Sequence, residues 1–108
     1  MKYKTEQEEF WTTEFGNDYI GRNSDYTVNI PLFSKVISGT SNVRSIIEFG
    51  CNIGLNLKAL NSLLPKCKLT GVEINKSACN HLHEWGKCDV VNESIFNYSK
   101  DKKYDLSI

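Results

Sequence analysis

The sequence predicts an α/β fold, a mainly parallel sheet with helices packed against it. Three observations carry that expectation. From residue 43 onward the hydrophobic pattern switches repeatedly between short apolar runs and segments with helical spacing. The runs are rich in Val, Ile and Leu, as in parallel strands buried on both faces. Gly, Asn and Pro fall at the changeovers, where the chain must turn. Strands that alternate with helices pair in parallel through right-handed crossovers.

Residues 4–15, KTEQEEFWTTEF, read as a short helix with Phe10, Trp11 and Phe15 available for burial. GNDYIGRNSDYT at 16–27 reads as a loop, since Gly, Asn, Asp and Ser dominate it. IPLFSKVIS at 30–38 is a second helix, with Pro31 in the first turn, where a missing N–H is tolerated. GTSN at 39–42 ends it, and VRSIIEF at 43–49 is the first strand. Leu55, Leu57, Leu60, Leu63 and Leu64 follow with mostly helical spacing, stopped by Pro65. KLTGVEI at 68–74 is a second strand. Residues 76–85 form the next helix, with Gly86 placed to close it in a left-handed conformation. CDVVN at 88–92 and YDLSI at 104–108 are the third and fourth strands.

The chain thus divides into an N-terminal helical cap segment, 1–42, and a sheet-bearing part, 43–108. A fourth strand that stops at Ile108 reads as the N-terminal half of a longer domain, truncated after that strand. On that reading the 108-residue chain alone is predicted to be inactive and to expose a sheet edge.

Composition narrows the function. Thirteen basic residues balance thirteen acidic ones, which removes the bulk electrostatic case for nucleic acid. The run Lys100-Asp101-Lys102-Lys103 reads as a solvated turn. No apolar run approaches the ~20 residues needed to span a bilayer. The charged N-terminus lacks the apolar core of a secretory signal, so a cytoplasmic protein is expected. There the four cysteines are reduced thiols that pack as small apolar groups. Cys79, His81, His83 and Cys88 are close in sequence but match no common zinc spacing, so no metal site is expected.

The chemistry concentrates in IIEFGCNIGLNLKAL, residues 46–60, where a strand passes through two glycines into a helix. Such a loop sets backbone N–H groups at a helix N-terminus, where an anionic or polar ligand is favoured, and glycine lets the ligand approach. A dinucleotide fingerprint counted from Gly50 needs glycines at 50, 52 and 55; the chain has Gly50, Asn52 and Leu55. The observed spacing is instead acid-x-G-x-x-x-G: Glu48, Gly50, Gly54. Asn52 replaces a middle glycine, and Asn tolerates the left-handed backbone better than most residues.

That spacing is similar to motif I of Rossmann-type S-adenosylmethionine-dependent methyltransferases, usually acid-x-G-x-G-x-G. Glu73 falls twenty-three residues after Gly50, at the end of the second strand, where an acid can accept both ribose hydroxyls. Its alternative is an ordinary exposed strand end. Ile74 follows, placed to lie against an adenine face. In VVNESIF, Glu93 or Ser94 resembles the polar residue that meets the adenine edge, a turn cap being the alternative. From about Val43 to Ile108 the array resembles the class I methyltransferase family. The resemblance implies S-adenosyl-L-methionine as cofactor, with Glu48 on its amino group and Gly50 and Gly54 in close backbone approach.

The N-terminal element resembles the small methylases associated with pseudaminic acid biosynthesis, which carry W-x-x-x-F-G-x-x-Y-x-x-R-N before the fold. Here it reads Trp11, Phe15, Gly16, Tyr19, Arg22 and Asn23. By that resemblance the element folds over the cofactor and Tyr19 and Arg22 reach its carboxylate. The alternative is an aromatic-anchored helix with a polar loop. The resemblance also implies a small sugar or nucleotide-sugar acceptor in surface-glycan synthesis. No residue is identified as a catalytic base. The competing readings are an NAD-type oxidoreductase or epimerase and a non-catalytic remnant of the fold.

Overall fold

The structure, a computed structural model, describes residues 5–12, 25–98 and 102–108, and only the backbone of Phe10 and Trp11. Helix α1 spans Glu6–Thr12. The expected burial of Phe10, Trp11 and Phe15, and most of the expected loop at 16–27, lie outside the described residues. A 3-10 turn at Tyr26–Asn29 leads directly into α2, Ile30–Ser38. Then come β1 (Ser45–Phe49), α3 (Leu55–Leu63), β2 (Lys68–Val72), α4 (Lys76–Trp85), β3 (Asp89–Val91) and β4 (Leu106–Ser107).

The four strands form one sheet in the order β3-β2-β1-β4. Every pairing is parallel, with Ile46 opposite Leu69 on one side and Leu106 on the other. Strands β1 to β3 build outward in one direction, and the chain then returns to place β4 on the far side of β1. That reversal makes the carboxyl end of β1 a topological switch point, where open α/β sheets bind their ligands.

Neighbouring strand residues point to opposite faces, yet Ile46 and Ile47 are both buried, so both faces of β1 are covered. Ile46 and Leu69 join Leu57 and Leu60 of α3, Leu82 of α4 and Phe33 of α2 in one core. Each fully buried Leu or Ile contributes roughly 1.5–3 kcal/mol. Helix α3 closes with Leu64 N–H on the Leu60 carbonyl, immediately before Pro65. Helix α4 is capped at both ends: the Asn75 side chain accepts from Ala78 N–H, and Gly86, at φ +75°, donates to the Leu82 carbonyl.

The strands are shorter than the sequence suggests. Strand β2 ends at Val72; Glu73 still donates its N–H to the Val91 carbonyl, and its side chain turns back to accept from Asn75 N–H at 2.8 Å. Strand β1 starts at Ser45; Arg44 N–H donates to the Asp105 carboxylate while its carbonyl accepts from Lys68 N–H. Around β4 the ladder extends further than its two residues: Asp105 N–H donates to the Ser45 carbonyl and Ile108 N–H to that of Ile47.

All four cysteines are free thiols. Burial pushes Cys79 and Cys88 up to about 11, as befits packing groups rather than reactive ones. Cys79 is buried while His81 and His83 are exposed, so the three do not converge on one point. No described helix is long and apolar enough to cross a membrane.

Candidate functional site

The loop between β1 and α3 turns on three left-handed residues: Gly50 at φ +71°, Asn52 at +51° and Gly54 at +81°. The two glycines serve different purposes. A Cβ at Gly50 would project into open space with no atom within 4 Å, so this backbone faces room for a ligand. A Cβ at Gly54 would overlap Leu82 Cδ2. Gly54 therefore lets α3 start flush against α4, and it does not line the cavity described next. Asn52 takes the left-handed conformation expected of it.

The backbone donors of this loop differ from the sequence expectation. Gly50 and Cys51 N–H donate to the Val72 carbonyl, Gly54 N–H to that of Cys51, and Asn52 N–H to Glu73 Oε1 at 2.7 Å. These four N–H groups tie the loop to β2 and to itself. They are not free to cradle an anion, as the motif alone suggested.

A cavity of about 550 Å³ opens at the carboxyl ends of β1 and β2, within the range of small-molecule sites. Its charged lining among the described residues consists of Glu8, Glu48, Glu73 and Glu93. Ile53, Leu55, Ile74, Ile95 and Phe96 supply apolar walls, and Thr5 and Gln7 bring α1 to its edge. Ile95 and Phe96 are 48% and 60% exposed.

Glu48, at the end of β1, is 7% exposed. Its Oε2 accepts from Asn56 Nδ2 at 2.6 Å, while its Oε1 is buried with no hydrogen-bond partner among the described residues. Burial pushes its carboxyl up to about 7; the Asn56 amide pulls the other way, and the charge of Glu73 adds to the rise. Glu73 is buried too, and each of its oxygens accepts one backbone N–H, from Asn52 and from Asn75. A carboxylate oxygen accepts more than one hydrogen bond, so the arrangement orients Glu73 without exhausting it. Asn52 Oδ1 is a second buried acceptor at the cavity with no partner among the described residues.

The structure thus brings Glu48, Gly50, Asn52, Glu73, Ile74 and Glu93 to one cavity. Ser94 does not line it: fully buried, it accepts from Phe96 N–H through Oγ and from Asn97 N–H through its carbonyl, the turn-cap alternative. Tyr19 and Arg22 lie outside the described residues. Sequence reasoning missed three asparagines. Asn56 holds Glu48, Asn29 donates to Asn56 Oδ1 at 3.0 Å, and Asn92 Nδ2 bonds the carbonyls of Glu73 and Ile74. A polar residue in the first turn of an otherwise leucine-rich helix was the one available signal, at Asn56.

Solved structures with a similar fold include methyltransferases. The plantazolicin methyltransferase BpumL, in complex with a desmethylPZN analog and SAH, superimposes with a TM-score of 0.72 at 21% identity, covering 94% of this chain and 44% of that one. The chain carries the methyltransferase fold. The sugar N-methyltransferase KedS8 from Streptoalloteichus sp ATCC 53650 gives 0.67 at 18% identity, over 89% and 39% of the two chains. The glycopeptide N-methyltransferase MtfA, complexed with sinefungin, gives 0.62 at 15%, over 79% and 36%. This chain spans less than half the length of each. No protein-family model and no curated protein matches the sequence.

Proposed function

We propose that this chain forms the cofactor-binding part of an S-adenosylmethionine-dependent methyltransferase. The observation that carries the reading is the charge of the cavity: four glutamates line it, and one of them keeps a buried oxygen without a partner among the described residues. A dinucleotide would bring a pyrophosphate into that field, against loop N–H groups already bonded elsewhere. S-Adenosylmethionine brings an ammonium group and a sulfonium. The residues fit it: Glu48 Oε1 for the ammonium, the bare backbone of Gly50 for close approach, and Glu73 for ribose hydroxyls. Ile74 fits the adenine face, and Glu93 its edge.

The bound cofactor supplies an electrophilic methyl group. The work left to the protein is to hold it in line with an acceptor and to keep water away. Glu48 and Glu73 act by orientation, since both are anchored from below by amide donors. Ile95 and Phe96 exclude water at the mouth. No residue of this chain is assigned as a proton acceptor.

For the acceptor we propose a small sugar or nucleotide-sugar in surface-glycan synthesis. The N-terminal resemblance to pseudaminic acid-associated methylases supports this, as do a sugar and a glycopeptide N-methyltransferase among similar folds. The reading includes a cytoplasmic setting, supported by the four free thiols. Titration calorimetry with S-adenosylhomocysteine and with NAD tests the cofactor. Binding of the first alone, abolished by Glu73→Ala, is expected; binding of NAD alone would return the oxidoreductase reading.

A further inference from the structure

We propose that Asn29 and Asn56 are positioning residues that orient the Glu48 carboxylate for a ligand's ammonium group and so couple the N-terminal segment to cofactor capture. The proposal rests on the cofactor reading above. Three observations support it beyond that reading.

The first is direction. Asn29 Nδ2 donates to Asn56 Oδ1 at 3.0 Å, and Asn56 Nδ2 donates to Glu48 Oε2 at 2.6 Å. Both bonds point the same way, so Asn29 fixes which end of the Asn56 amide faces the carboxylate. Without Asn29 the amide is free to turn over and set Oδ1 against Glu48 Oε2, an arrangement tolerated only when the carboxyl is protonated.

The second is what Asn29 does not do. It precedes α2 with helical backbone angles, φ −91° and ψ −10°, as the last residue of the 3-10 turn, and its side chain makes no capping bond. The amide is instead spent across the interface on α3.

The third is the free oxygen. Glu48 lines the cavity, and its buried Oε1 has no partner among the described residues, while Oε2 is held by the relay. The other ionisable groups lining this cavity among the described residues are Glu8 of α1, Cys51 of the loop, Glu73 after β2 and Glu93 after β3. All are acids, so none of these described groups supplies a counter-charge to Glu48. A cationic ligand does, and it meets an ionised Glu48 only where the relay keeps a donor on Oε2. Burial holds the Glu48 carboxyl at about 7, close enough to neutrality for the relay to matter.

The test measures the Glu48 titration in the ligand-free full chain by carboxyl 13C NMR, together with S-adenosylhomocysteine affinity from pH 5.5 to 8.5. In the unaltered protein, affinity should rise through the Glu48 titration and level off above it. Asn29→Ala should move both midpoints up by about one pH unit, which is about fivefold weaker binding at pH 7. Asn29→Ser, which keeps a donor, should stay near the original midpoint. Because the relay is serial, Asn29→Ala should add nothing in an Asn56→Ala background. Asn29→Leu, which removes the donor but retains bulk, gives the same test should the alanine variant unfold. An unchanged Glu48 midpoint in folded Asn29→Ala or Asn29→Leu, or full additivity with Asn56→Ala, overturns the relay while leaving the cofactor reading intact. Failure of the unaltered protein to bind S-adenosylhomocysteine overturns that reading and the proposal with it.

Discussion

Glu48 is a residue whose burial opposes its charge. Its carboxyl stands near 7 in the folded chain against 4.5 when free, so between those values the folded state holds a proton that the unfolded state has lost. Stability should therefore fall as pH rises from about 4.5 to 7 and stay reduced above, by roughly 3 kcal/mol. Glu48→Gln removes the titration. Urea unfolding should show this variant more stable than the parent at pH 8 and little changed near pH 4.5, even though it weakens ligand capture. Asn52 gives a second case at this scale. At φ +51° it holds a left-handed turn. Asn52→Gly should leave stability within about 0.5 kcal/mol, whereas Asn52→Ala should cost about 1–2 kcal/mol in the same unfolding experiment.

Among the elements, the α3–α4 contact is the most sensitive to a single atom. Gly54→Ala combines a left-handed backbone with a Cβ overlapping the fully buried Leu82. A loss of about 2–4 kcal/mol in chemical denaturation is expected, and Leu82→Ala in the same chain should not restore it, because the backbone strain remains. Asn75→Ala should cost about 1 kcal/mol by removing the cap of α4. These elements were legible in the sequence because hydrophobic period and terminators agreed: Leu57 and Leu60 with Pro65, and the 76–85 helix with Gly86. The strand ends were not. Arg44 and Glu73 each keep one backbone bond to a neighbouring strand but add a side-chain bond, to Asp105 and from Asn75, and no period reports those.

At the scale of the molecule, the parallel order β3-β2-β1-β4 fixes where chemistry can happen, at the open end beside β1. The sequence marked that end through Glu48, Gly50 and Glu73, residues whose type and spacing are unusual by themselves. It did not mark Asn29, Asn56 or Asn92. Asn29 and Asn92 act through partners at least 18 residues away, where an asparagine carries no local signal; Asn56 joins Glu48, eight residues before it, to Asn29. Nor did it show that the loop N–H groups would be spent internally, which follows only once β2 lies beside β1. If the cavity takes the cofactor, S-adenosylhomocysteine at a hundred times its Kd should stabilise the chain by about 2.7 kcal/mol, seen as a raised Tm that NAD does not reproduce.

The most direct measurement is a crystal structure of this chain grown with S-adenosylhomocysteine. The account predicts the ligand in the cavity at the ends of β1 and β2, its ammonium group within hydrogen-bond distance of Glu48 Oε1 and its ribose hydroxyls on Glu73. A ligand bound elsewhere, or one in the cavity that leaves Glu48 Oε1 untouched, would contradict it.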